Sequence, residues 1–147
     1  MRMVLVVVLS FGCKSEDQQV NEYLVTSATK SVAELKQILA SNTPKRPIDW
    51  GMVTGCAGNM ANIDTLAKAN QPLADELRRL CTKDVPLAAM KFETEQAEAA
   101  VKAKPNAELY AECHSPTFAF AKDQMTEAKT IDLAKDVMAR FQAACPR

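Results

Sequence analysis

The residues of this 147-residue chain that could do chemistry are five cysteines, a single histidine and a tight group of glycines. His114 stands alone, and that restricts catalysis more than any other feature. Covalent haem attachment has no Cys-x-x-Cys-His site, paired Glu-x-x-His elements of a di-iron bundle need two histidines, and a three-His zinc centre needs more. Ser115 follows His114 directly, but adjacency in sequence does not create the oriented base and acid that activate a serine. No catalytic residue, metal ligand set or cofactor is therefore expected. The one cofactor arrangement the residues leave open is a non-covalent haem between His114 and a methionine such as Met52, Met60, Met90, Met125 or Met138. Methionines at helical spacing usually fill a core, and His114 precedes Ser115-Pro116, where a helix is expected to end.

The N-terminus speaks to location. Arg2 is followed by an unbroken apolar run from Met3 to Leu9, then Ser10, Phe11, Gly12 and Cys13, with Lys14, Ser15, Glu16, Asp17, Gln18 and Gln19 directly after. This stretch resembles the signal of bacterial lipoproteins, in which a basic start, an apolar stretch and a small residue before Cys direct lipidation of that Cys and cleavage in front of it. The resemblance covers residues 1–13 only. It implies a signal peptide over 1–12, lipid on Cys13, a polar tether over 13–17 and a single domain over 18–147. It also implies a bacterial cell envelope location, facing the periplasm or the exterior. The apolar run is too short to cross a bilayer as a helix, which takes about 20 residues.

Cys56, Cys81, Cys113 and Cys145 remain, an even number in a chain read as exported to an oxidising compartment, and two disulfides follow. Zinc ligands usually come in close pairs, whereas these cysteines are spaced by 25, 32 and 32 residues. Gly51, Gly55 and Gly58 lie within eight residues, together with Cys56 and Asn59. They are candidates for a backbone surface against which a ligand or partner packs, or for small residues that let two helices approach beside a disulfide. The Gly-Lys-Ser/Thr ending of a phosphate loop is missing, so nucleotide binding has no support. Tyr23, Phe92 and Tyr110 sit at the edges of their apolar stripes as a candidate aromatic patch.

The elements that must position these residues are helices. Val20, Leu24, Ala28, Val32, Leu35 and Leu39 recur at three and four, predicting an amphipathic helix over 17–41 that ends in Asn42–Pro47. Asp49 is placed to cap a second helix carrying Trp50, Val53, Cys56, Met60, Ile63 and Ala67. Pro72, Pro86, Pro105 and Pro116 mark four helix starts, since the missing N–H costs nothing in a first turn. Residues 87–103, rich in Ala and Glu, predict a helix with a thin core face, much solvent exposure and a Glu98–Lys102 pair. No segment alternates as a half-buried strand does. The fold class is all-α, a disulfide-stapled bundle of four to six helices.

Bridge connectivity depends on where the helices turn. Cys56 and Cys81 are symmetric about the Asn70–Pro72 break, and Cys113 and Cys145 about Lys129, after which Thr130 can cap a fresh helix. Sequential pairing follows, with one staple per hairpin. A continuous helix over 117–144 would instead hold Cys113 and Cys145 on the order of 40 Å apart and force the bridges to join different hairpins.

Charge is balanced and interspersed, 18 basic against 18 acidic side chains, which gives no basic cluster to attract nucleic acid. What remains is a non-enzymatic reading. The expectation is a membrane-anchored lipoprotein whose helical domain binds another protein, possible roles including inhibitor or immunity protein. A small-ligand or haem carrier is the alternative.

Overall fold

The computed structural model describes residues 15–41, 48–104 and 111–145, and every regular element among them is helical. Cys13, the signal segment, the loop 42–47, Pro105 and Tyr110 lie outside the described residues. The chain runs through α1 (Glu16–Ala40), α2 (Trp50–Met60), α3 (Ile63–Ala69) and α4 (Gln71–Arg79). A π-helical turn (Leu80–Asp84) leads into α5 (Val85–Ala103). A 3-10 turn (Ala111–His114), α6 (Pro116–Glu127), a second 3-10 turn (Ile131–Ala134) and α7 (Lys135–Ala144) complete it. With α4, the π-turn and α5 counted as one continuous rod, this is a six-helix bundle stapled by two disulfides.

Local chemistry sets the starts. The Ser15 hydroxyl accepts from the Gln18 N–H while the Gln18 side chain accepts from the Ser15 N–H, so two orphan donors of the first turn are satisfied reciprocally. Asp49 accepts from the Met52 N–H at 3.1 Å, Asn70 from Leu73 at 3.1 Å and Ser115 from Phe118 at 3.1 Å. Helix α1 therefore begins at Glu16 and takes in the last residues of the expected tether.

The rod from Gln71 to Ala103 is the spine, and Pro86 accounts for its one irregularity. Proline has no N–H, so the Thr82 carbonyl one turn earlier loses its helical donor. The backbone adjusts by a π-turn in which the Val85 N–H reaches back five residues to Leu80. The Thr130 hydroxyl then donates to the Thr82 carbonyl at 2.6 Å, from 48 residues away. Pro86 thus stands in the first turn of α5, as the sequence predicts, but that helix follows the π-turn without a break, since the backbone at Asp84 is already helical.

Three further expectations are corrected. The run from Trp50 to Ala67 breaks at Ala61–Asn62, and the turn brings Ile63 and Leu66 into the core beside α1 and α4. Val20, placed in the core stripe of α1, is 51% exposed, because the buried face begins only at Ala28 and the first turns overhang the bundle. Helix α5, expected to be peripheral, is the most central. Ala89, Met90, Thr94 and Ala97 are fully buried, and the small alanines let α6 and α7 lie close against it. The buried Thr94 hydroxyl is satisfied by donating to the Met90 carbonyl at 2.8 Å.

The bridges join Cys56 to Cys81 and Cys113 to Cys145, with Cα separations of 5.0 and 5.5 Å. The first ties α2 to the π-turn across two short helices, not across a simple two-helix hairpin. The second closes the α6–α7 hairpin, which turns at Lys129 as the cysteine symmetry requires. There the Lys129 N–H bonds to the Thr126 carbonyl and the Thr130 N–H to the Met125 carbonyl, with Lys129 at φ 58°. This is a Schellman ending built without the usual glycine. Thr130 precedes the second 3-10 turn without capping it by its side chain, and its hydroxyl donates instead to the Thr82 carbonyl.

Burial outweighs the surface ion pairs in stability. Truncating a fully buried methionine such as Met90 to alanine costs about 2–5 kcal/mol, whereas an exposed pair contributes about 0–1. Each bridge adds roughly 3–4 kcal/mol by restricting the unfolded chain. Two substitutions test the turn. Lys129→Gly removes a left-handed side-chain penalty and raises unfolding free energy by about 1 kcal/mol. Thr130→Val strands the Thr82 carbonyl and lowers it by about 1–3 kcal/mol. Urea unfolding measures both, and a neutral Thr130→Val would remove the role assigned to that hydroxyl.

Candidate functional site

The three glycines define a face of α2. At 3.6 residues per turn, positions 51, 55 and 58 fall within about 60° of one another and nearly opposite Val53 and Cys56. Val53 and Cys56 are buried, and all three glycines are exposed. Among the described residues, a Cβ at Gly55 or Gly58 would meet nothing within 4 Å, and one at Gly51 would meet only the Asp49 carboxylate at 3.3 Å. The glycines therefore do not let helices approach beside the disulfide. The core contact is made by the other side of α2, and the glycine side is open backbone.

The surroundings extend that face. Thr54, which shares it, folds its hydroxyl back to donate to the Trp50 and Gly51 carbonyls. No charged residue occurs from Trp50 to Ile63, although a helix facing water ordinarily carries charge on its outer side. Trp50, expected in the core, is 46% exposed because it lies at the first turn, where it packs on Phe120 of α6 with ring centroids 5.0 Å apart. One turn beyond Phe120, the Gln124 amide donates to the Val53 carbonyl at 3.1 Å, and its oxygen is buried without a donor among the described residues. That geometry fixes the amide orientation, since the reverse would set two oxygens against each other. Asn59 is half-buried on the flank. The result is an uncharged, nearly side-chain-free helical surface edged by one half-exposed tryptophan.

The remaining candidates separate. His114 is exposed at the end of its 3-10 turn, whereas Met90 and Met125 are fully buried and Met52, Met60 and Met138 are half-buried. The Ser115 hydroxyl caps α6. No group of three His, Cys, Asp or Glu side chains is arranged to hold a metal ion among the described residues. Tyr23 is 72% exposed on α1 and Phe92 is half-buried on α5.

Glu98 pairs with Arg140 of α7, not with Lys102. The guanidinium Nε donates to Oε1 at 2.8 Å and Nη2 to Oε2 at 2.6 Å. The side-chain hydrogen bond, with the guanidinium charge behind it, holds the Glu98 carboxyl below its ordinary value and raises Arg140 above its own. No spacing rule could show a pair 42 residues apart. Gln124, Phe120 and the reach of Thr130 to Thr82 escape sequence reading for the same reason, whereas winding the helix outward from Cys56 places the glycines.

Two measurements check these assignments. Gly55→Ala and Gly58→Ala each stabilise the fold by about 1 kcal/mol, because alanine suits a helix better and nothing obstructs its methyl group; a loss at either site would mean the face is not open. A carboxylate with a depressed folded pKa stabilises above its unfolded pKa and loses that contribution as pH falls through the folded value. Glu98 therefore titrates by NMR below an ordinary glutamate, and Arg140→Met returns it to the ordinary range.

Compared with known proteins, the chain matches no family model, no curated protein and no solved structure.

Proposed function

We propose that this chain is a lipid-anchored protein of the bacterial cell envelope whose helical domain works without catalysis, by binding another protein through the outer face of α2. The observation that carries the reading is the open, uncharged glycine stripe beside half-exposed Trp50. Each glycine in a helix interior costs about 1 kcal/mol against alanine, and the same absence of side chains allows a partner to approach the backbone closely. An aromatic residue at the edge is the residue type that anchors protein interfaces. Balanced charge favours a protein partner over nucleic acid. An inhibitor or immunity protein, which blocks its target by occupying a surface, is the kind of protein this describes.

The two bridges support the location, because disulfides persist in oxidising compartments and are rare in a reducing cytosol. Membrane attachment is assigned to lipid on Cys13 from the resemblance of residues 1–13 to a lipoprotein signal; no helix among the described residues is long and apolar enough to cross a membrane. A haem or small-ligand carrier has less support, given an exposed His114 and methionines packed into the core.

Two experiments test the parts separately. Intact-mass analysis of protein extracted from membranes is expected to give a chain starting at Cys13 with added acyl mass; the unmodified full chain would overturn the anchor. A photo-crosslinking residue at position 55 or 58 is expected to give a discrete protein adduct in intact cells that one at exposed position 102 does not. Equal labelling at all three positions would overturn the binding face.

A further inference from the structure

The two disulfides differ in what surrounds them. Cys56 and Cys81 are 1% and 2% exposed, set among Val53, Leu77, Leu80 and Val85 in the middle of the core. Cys113 and Cys145 are only partly covered, one in the 3-10 turn before α6 and the other just after α7. Thiol–disulfide exchange requires a thiolate to reach a sulfur in line, so accessibility separates the two bridges before any difference in intrinsic chemistry does.

What the outer bridge restrains is also distinct. Helix α7 is held firmly at its start, where Ala134 and Val137 are buried and Thr130 is tied to Thr82. From Met138 to Cys145 no residue is buried. That final stretch keeps its place by the half-buried Met138 and Phe141 packed against the core, with the Phe141 ring stacked on Phe118 at 3.8 Å, by the Arg140–Glu98 pair, and by the disulfide. The ion pair is half-exposed and screened by water, and the apolar contacts come from half-buried side chains, so chain fraying is a close competitor. Without the covalent tie, only these partly exposed contacts hold the end of α7.

We propose that Cys113–Cys145 is a reducible latch on the C-terminal helix, whereas Cys56–Cys81 is a permanent staple. The reductant is a dithiol. One of its thiolates attacks a sulfur of the bridge, releasing the other as a thiolate and forming a mixed disulfide. Its second thiolate then attacks that mixed disulfide and leaves as a closed dithiol disulfide. Two electrons pass to the protein, and Cys113 and Cys145 take up a proton each to become thiols. The last turns of α7 lift, and the face of Phe118 beneath Phe141 is uncovered, while the core and α2 keep their structure. This inference does not depend on the binding face of α2.

The test uses the purified, fully oxidised protein and dithiothreitol under native conditions, with free thiols alkylated and mapped by peptide mass spectrometry. Cys113 and Cys145 are expected to be labelled about ten-fold faster or more than Cys56 and Cys81. At that stage hydrogen exchange should rise over 138–145 and stay unchanged over 53–60 and 80–97. The double variant Cys113→Ser with Cys145→Ser should show the same exchange pattern while keeping its helical circular dichroism. Simultaneous opening, earlier opening of Cys56–Cys81, unchanged exchange over 138–145, or global unfolding of the double variant would each overturn the latch.

Discussion

A single missing hydrogen atom organises much of this bundle. Pro86 lies in the middle of the rod on which every other helix leans, and it cannot donate to the carbonyl behind it. A proline there should kink or end the helix, yet the rod continues because the cost is met in two places. The backbone takes a π-turn, and the stranded Thr82 carbonyl receives the Thr130 hydroxyl at 2.6 Å. That second contact reaches the turn between α6 and α7. The irregularity of the spine and the position of the C-terminal hairpin are thus one arrangement, and the Cys56–Cys81 bridge joins α2 to the same π-turn.

What the sequence made legible follows from local rules. The apolar stripe of α1, the cap at Asp49, the helix starts at Pro72 and Pro116, the turn at Lys129 and both disulfide pairings are encoded in residues close together or in simple symmetry. The centrality of α5 was hidden because alanine reads as a helix former with little to bury. Its value here is geometric, since a stripe of Ala89 and Ala97 allows neighbours to approach that larger side chains would hold off. Pro86 was visible as a helix start, but not the continuity of that start with the π-turn before it, where the freed carbonyl is met by a threonine 44 positions further along the chain. Of the candidate site, the glycines were visible as residues. That they face water became visible only once Val53 and Cys56 were known to face inward.

The proposed binding face of α2 would set stability against recognition. A surface helix normally carries lysine and glutamate on its outer side, which raise solubility and helix propensity together. Here that side is glycine, with Thr54 bonded back onto the backbone it comes from. The nearby disulfide and the fully buried Ile48 and Val53 compensate by fixing the inner side of a helix with poor intrinsic propensity. The rigidity of α2 is therefore imposed from beneath, which leaves its upper surface unconstrained by the needs of folding.

The overhang of α1 has a consequence in height. From Ser15 to Leu24, the first residue of the helix to pack against the core, is a rise of about 14 Å. The polar headgroup layer on one side of a bilayer is only about 5–8 Å deep. With fatty chains on Cys13, a stiff mast of that length would lift the globular body clear of the lipid headgroups and hold it at a set altitude. A binding partner would then need to extend to that level, so the reach of this protein would be dictated by a ruler of α-helix and not by a slack cord.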